Sequence, residues 1–117
     1  MVQWDDEVDL VCVGSGIGGC AAAIAGAEAH LKVSLLEKSY KVGGTTTWSY
    51  GIVWVGNSHL AREKGIEDTA RETRSYLDYL GGDRNDPDVT QSFVEHAPQA
   101  LSFFEKVAQV PFYVVEG

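Results

Sequence analysis

Basic side chains are scarce: 9 Lys and Arg stand against 17 Asp and Glu in 117 residues, for a net charge of −8. That argues against nucleic acid as the main partner, because phosphate contacts need clustered Lys and Arg. It argues equally against an anionic membrane surface. The acidity itself reads as a source of solubility. A long hydrophobic run is also missing. The most apolar stretch, around residues 17–29, is short and rich in Ala and Gly, so no membrane span is expected. The opening MVQWDDEVDL is acidic, whereas a secretory signal needs a basic start and an apolar segment. Cysteine is limited to Cys12 and Cys20, too far apart for CxxC and too few for a disulfide framework. Both are expected to be small buried residues in a reducing compartment, which points to the cytoplasm. No metal site is expected. Internal repeats, low-complexity tracts and linkers are absent, and the length fits one ordinary domain.

What the chain does have lies near its start, in 8-VDLVCVGSGIGGCAAAIAGAEAH-30 and 32-KVSLLEK-38. Val8, Leu10, Val11, Cys12 and Val13 read as a strand, apolar almost throughout as if both faces were covered. Ile17 to His30 reads as an Ala-rich helix, with Gly26 permitting close packing on the sheet. Val33 to Glu37 reads as a second strand. The whole is a β-turn-α-β unit with an expected right-handed crossover.

The turn carries GxGxxG at Gly14, Gly16 and Gly19. Gly14 suits a tight exit from the strand, Gly16 the close approach of a pyrophosphate, and Gly19 the packing of helix on strand. The helix start offers free N–H groups and positive partial charge to phosphates. Glu37, 23 positions beyond Gly14, stands near the offset of about 20 residues expected for an acid that receives ribose hydroxyls. It disfavours a 2′-phosphate and so speaks against NADP, but does not separate NAD from FAD.

Beyond Glu37 the character changes. Residues 43–51, GGTTTWSYG, are rich in Gly and hydroxyls and suit a loop against a long polar cofactor. Ile52 to Val55 reads as a strand or an extended piece, and Asn57 or Ser58 as the cap of a short helix through Lys64. Glu67 to Leu80 reads as a helix, with Ala70, Tyr76, Leu77 and Leu80 roughly on one stripe, ended by Gly81 and Gly82. Asp86 and Pro87 form a cap and first-turn pair. The helix they open should reach about Ala108, kinked or split at Pro98. Pro111 to Val115 reads as a further strand.

The combination LEK-x4-GGTT-x2-S-x-G-I-x-W on 36–54 resembles the N-terminal part of the fumarate reductase and 3-ketosteroid dehydrogenase flavoprotein family. The likeness spans essentially the whole chain, and about the first fifth to quarter of a typical member. It implies an α/β fold: a Rossmann-like FAD-binding βαβ unit followed by helices, over 1–117, as an incomplete portion of a larger FAD-binding domain. The substrate domain and the C-terminal return would lie outside the chain. The resemblance further implies FAD as cofactor. Gly14, Ser15, Gly16, Gly18 and Gly19 would line the pyrophosphate. Glu37 would hold the adenosine ribose, with Lys38 beside the adenine end. Gly43, Gly44, Thr45 and Thr46 would line the phosphate and ribityl region, and Ser49 and Gly51 would lie nearer the isoalloxazine. Relatives that attach flavin covalently carry a histidine at about the place of Thr45, so a noncovalent FAD is expected.

The chain departs from the family pattern at Tyr50, where Gly is usual, and at Val55-Gly56, where Pro follows the Trp by two positions. Trp48, Tyr50 and Trp54 are expected to pack in the core, and His59 to stand at a surface or helix start. Arg62, Arg71, Arg74 and Arg84 read as solvated charge, and Tyr113 as a strand or packing residue. No catalytic residue is assigned.

The implied activity is flavin-dependent dehydrogenation or reduction of a C–C bond next to a carbonyl. The partners expected are a small-molecule substrate and another chain carrying the rest of the flavoprotein, with this chain alone inactive. The alternatives are a non-catalytic nucleotide-binding or docking subunit and an NAD-binding module, the latter disfavoured by the 43–51 loop.

Overall fold

The computed structural model describes residues 3–115. It divides into two compact units, one through Ile52 and one from Val53 onward.

In the first unit, strands β1 (Leu10–Val13) and β2 (Val33–Leu36) pair in parallel, with Leu10 opposite Val33 and Val13 opposite Leu36. Parallel neighbours need a crossover, and helix α1 (Ile17–Glu28) supplies it. The helix lies close on the sheet because it is built from small residues: a Cβ on Gly26 would stand 2.6 Å from Leu10 Cδ2 and 3.0 Å from Val33 Cγ2. By the alternation of strand side chains, Leu10, Cys12, Val33 and Leu35 share the face under α1, and Cys12 is buried there. The other face carries Val11, Val13 and Leu36, which are 51%, 84% and 53% exposed. The nearly continuous apolar run in β1 therefore does not mean two covered faces here: one is covered by α1 and the other is open. Both cysteines are free thiols, Cys20 only half-buried.

The second unit is helical. Helix α2 (His59–Glu63) starts on Ser58, whose hydroxyl accepts the Ala61 N–H. Helix α3 spans Ala70–Gly81 and helix α4 spans Pro87–Lys106. Gly82, at φ 53°, turns the chain out of α3. The buried side chains Thr73, Thr90, Val94 and Leu101 sit on these helices. Asp86 caps α4 by accepting the Asp88 and Val89 N–H groups, with Pro87 in the first turn. Pro98 does not split α4. It stands between Val94 and Leu101, whose buried side chains anchor the turns on either side of it; each such burial is worth about 1.5–3 kcal/mol.

Helix α3 begins later than the sequence suggests. Thr69, not Glu67, is its cap: the Thr69 hydroxyl accepts the Glu72 N–H while Glu72 accepts the Thr69 N–H. Thr69→Ala should lower stability by about 1 kcal/mol, read as a shift in the urea midpoint of helix loss. An unchanged midpoint would mean that the box contributes nothing.

Residues 52–55 and 111–115 form no strand, because a strand needs a ladder to pair with. Tyr113 is 82% exposed, so it is no packing residue. Trp54 is not in the core either: it is 49% exposed, and its ring lies parallel to Phe93 at 6.4 Å between centroids and tilted on Tyr76 at 5.4 Å in a surface cluster. His59 opens α2, with Nε2 2.7 Å from Glu105 Oε2. Two of the arginines are held rather than merely solvated. Arg62 donates to the Asn57 carbonyl and side chain, and Arg74 pairs with Asp78. Among the described residues no helix is long and apolar enough to cross a membrane.

Candidate functional site

The sequence elements flagged as a site meet at the C-terminal end of the β1–β2 pair. β1 runs out at Val13, and Gly14 turns the chain at φ 92°, a conformation that L side chains rarely adopt. Its N–H remains tied to the Leu36 carbonyl at 2.7 Å, so the turn stays fastened to the end of β2. Gly19 then brings α1 back over the turn. A Cβ there would lie 1.8 Å from the Gly14 carbonyl oxygen, so only glycine fits. Gly16 differs. It has ordinary extended φ/ψ of −69° and 177°, and a Cβ there would meet nothing nearer than Thr46 Oγ1 at 3.6 Å. A Cβ on Gly18 would meet nothing within 4 Å. The fold thus requires Gly14 and Gly19 but not Gly16 or Gly18. Both stand at the start of α1, where N–H groups and positive partial charge favour an anion.

The second glycine-rich segment closes on the first. A 3-10 turn, Gly44–Trp48, follows Gly43. The Thr46 hydroxyl accepts the Ile17 N–H at 3.0 Å, satisfying one of the unpaired donors at the start of α1. Gly44 lies against the Gly16 backbone, where an added Cβ would be 3.6 Å from its Cα.

Glu37, just past β2, is bonded to the first segment through Ser15, and Ser15 joins it to the second. Its Oε2 accepts the Ser15 hydroxyl at 2.6 Å and the Ser15 N–H at 2.9 Å, and its Oε1 accepts the Ser39 N–H at 2.9 Å. The Ser15 hydroxyl in turn accepts the Gly43 N–H at 2.8 Å. The donors, with the Ser15 hydroxyl foremost, followed by the Ser39 and Ser15 N–H groups, hold the Glu37 carboxyl down at about 2.

A carboxyl lowered in the fold adds stability that is complete above its ordinary value of 4.5 and disappears as pH falls through about 2. The urea midpoint of the wild type should therefore exceed that of Glu37→Gln by a steady margin at neutral pH. The margin should close between pH 4.5 and about 2. A margin that widened on acidification would contradict this network.

Gly14, Ser15, Gly16, Gly18, Gly19, Glu37, Gly43, Gly44 and Thr46 are thus brought together or stand on the same turn. Thr45 and Lys38 border the group and are exposed. Ser49 and Gly51 are bonded to each other, Gly51 N–H to Ser49 Oγ at 3.1 Å, and are exposed. Trp48 and Tyr50, expected in the core, are 89% and 99% exposed, so the Tyr that replaces a usual Gly turns outward. The sequence reading missed Ser39. Its signal was local: a backbone N–H two positions after a carboxylate can return to that side chain. Among the described residues no His, Cys, Asp and Glu group could hold a metal ion.

A parallel strand pair, a glycine turn opening a helix and an acid at the end of the next strand together define a dinucleotide-binding βαβ unit. The family model described as FAD binding domain matches residues 9–117. A 3-oxosteroid 1-dehydrogenase of Mycobacterium tuberculosis is 35% identical over 111 residues, covering 95% of this chain and 20% of the relative. A urocanate reductase of Eggerthella lenta is 40% identical over 98 residues, covering 83% of this chain and 16% of the relative. Among solved structures, a 3-ketosteroid-delta4-(5alpha)-dehydrogenase from Rhodococcus jostii, in complex with 4-androstene-3,17-dione, superposes with a TM-score of 0.85 at 28% identity. The match covers 94% of this chain and 23% of that one.

The chain belongs to the FAD binding domain family of flavoproteins, alongside dehydrogenases and reductases, and it spans about a fifth of the length of the curated relatives it matches.

Proposed function

We propose that this chain is the FAD-binding portion, or subunit, of a flavin-dependent oxidoreductase that dehydrogenates or reduces a C–C bond next to a carbonyl. The observation that carries the reading is the meeting of the two glycine-rich segments, Ile17 N–H on Thr46 and Gly43 N–H on Ser15, with Glu37 tied to Ser15.

The residues fit the cofactor. Gly14, Ser15, Gly16, Gly18 and Gly19 form the turn for the pyrophosphate, and the spaces a Cβ would fill at Gly16 and Gly18 are left open. Glu37 receives the adenosine ribose, with Lys38 toward the adenine. Gly43, Gly44, Thr45 and Thr46 flank the phosphate and ribityl region, and Ser49 and Gly51 stand toward the flavin ring. Bound FAD would supply the two-electron chemistry. The protein's part is to hold the dinucleotide in one orientation through N–H donors, the Thr46 hydroxyl and the Glu37 carboxylate. Thr45 offers no imidazole for a covalent bond, which supports a noncovalent FAD.

The partner is a further length of flavoprotein, from another chain or a continuation of this one, that would cover the open sheet face at Val11, Val13 and Leu36. The substrate domain and the catalytic acid or base would come with it, so this chain alone is inactive. The substrate is a small molecule with a carbonyl beside the reacting bond, the class to which the 3-oxosteroid named for one relative belongs. Two free thiols fit a cytoplasmic setting.

The test is to load the chain with FAD, precipitate it with acid and record the visible spectrum of both fractions. Flavin bands in the supernatant are expected. Flavin in the pellet would overturn noncovalent binding, and tight NADH binding without any flavin uptake would overturn the FAD reading.

A further inference from the structure

Ser15 is buried, 2% exposed, between the half-buried Gly14 and Gly16. Its polar atoms are all committed within the protein. The hydroxyl accepts the Gly43 N–H, and a serine hydroxyl has one proton to give. That proton goes to Glu37 Oε2, which also receives the Ser15 N–H. One carboxylate oxygen therefore takes two donors from a single residue. An ionised carboxylate offers about four acceptor positions, and the Ser39 N–H fills a third on Oε1.

We infer that Ser15 is a positioning residue for the cofactor site. It clamps the Glu37 carboxylate to the glycine turn through Oε2 and fastens the Gly43 segment to the same point. The inference deepens the proposed FAD reading and rests on it for the ligand, but the clamp itself exists without cofactor.

The order of the bonds gives the mechanism. The Gly43 N–H orients the Ser15 oxygen, and the oriented hydroxyl can then point its proton only at Glu37. A donor that arrives preset costs less to order when the ligand binds. Loss of the hydroxyl would release Glu37 Oε2 on one side and orphan the part-buried Gly43 N–H on the other, at two ends of the cradle at once. No charged side chain contributes to holding Glu37 ionised; its donors are Ser15, Ser39 and the Lys38 backbone. Removing the foremost of them should therefore be visible in the titration of Glu37 itself.

The experiment follows the Glu37 side-chain carboxyl by 13C NMR against pH in the unliganded chain, together with the Gly43 amide, in wild type, Ser15→Ala and Ser15→Thr. In wild type the Gly43 amide is expected to shift with the same midpoint as the Glu37 carboxyl. In Ser15→Ala the carboxyl midpoint should move up toward the ordinary range and the Gly43 amide should stop following it. Ser15→Thr, which keeps the hydroxyl, should restore both. FAD titration of the same samples should show roughly tenfold weaker binding for Ser15→Ala alone, because the Glu37 acceptor is no longer preset for the ligand.

An unchanged Glu37 midpoint in Ser15→Ala overturns the inference. So does a wild-type Gly43 amide that ignores the Glu37 titration, a measurement that needs no variant to fold. A clamp that titrates as expected in a chain that takes up no FAD would leave the positioning intact and overturn the FAD reading instead.

Discussion

Gly19→Ala is expected to cost about 3 kcal/mol or more of stability and to abolish the βαβ unit's cooperative unfolding. The new Cβ would stand 1.8 Å from the Gly14 carbonyl oxygen and 2.9 Å from its carbon. These are backbone atoms, so no rotamer change relieves the clash. Either the turn opens, which strains the Gly14 N–H bond to Leu36, or α1 lifts off the sheet and uncovers Cys12. A domain with a net stability of roughly 5–15 kcal/mol has little margin for such a loss. Gly18→Ala is the control: its Cβ meets nothing within 4 Å, and its stability should stay within about 0.5 kcal/mol of wild type. Urea denaturation followed by far-UV circular dichroism reads both. A Gly19→Ala chain as stable as wild type would mean that the close crossing of α1 over Gly14 is not what shapes the turn.

Gly16→Ala should give the opposite pattern, a folded chain that has lost its cofactor. The backbone at Gly16 is in a region open to any residue, and the added methyl would sit in ordinary contact with Thr46 Oγ1 at 3.6 Å. At a helix cap the change costs up to about 1 kcal/mol. It also adds bulk between the glycine turn and the Gly43–Thr46 segment, where a pyrophosphate must approach the backbone. FAD affinity should fall roughly a hundredfold, about 2.7 kcal/mol, as read by flavin fluorescence titration against wild type. Equal affinity in the two proteins would remove Gly16 from the cofactor site. The pair of variants separates two uses of glycine within one motif: Gly19 serves the fold, and Gly16 serves what the fold holds.

That separation was partly legible in the sequence. Strand, glycine turn, helix, strand and acid could be read in order because each rests on local chemistry: a β-branched run, a positive φ, small residues and the offset of Glu37. The caps at Ser58 and Asp86 were legible for the same reason. The start of α3 was missed because the run from Glu67 looks helical until the reciprocal Thr69–Glu72 bonds are seen. Pro98 suggested a break, but burial of Val94 and Leu101 on both sides keeps α4 whole. The long-range bonds left the least trace. Nothing local in the sequence says that Ser15 turns to Glu37 and Gly43, 22 and 28 positions away, or that Thr46 reaches Ile17. Aromatic character also misled. Trp48, Tyr50 and Trp54 look like core residues by type, yet all three are exposed, and Trp54 meets Phe93 and Tyr76 only at the surface.

The central claim is that the two glycine-rich segments and Glu37 form one FAD-binding cradle. Its most direct test is an amide-resolved NMR titration of the 15N-labelled chain with FAD. The account predicts saturable shifts at Ser15, Gly16, Ile17, Gly18, Ser39 and Gly43 through Thr46, with α3 and α4 unmoved. Shifts confined to other residues, or none at millimolar FAD, would contradict it.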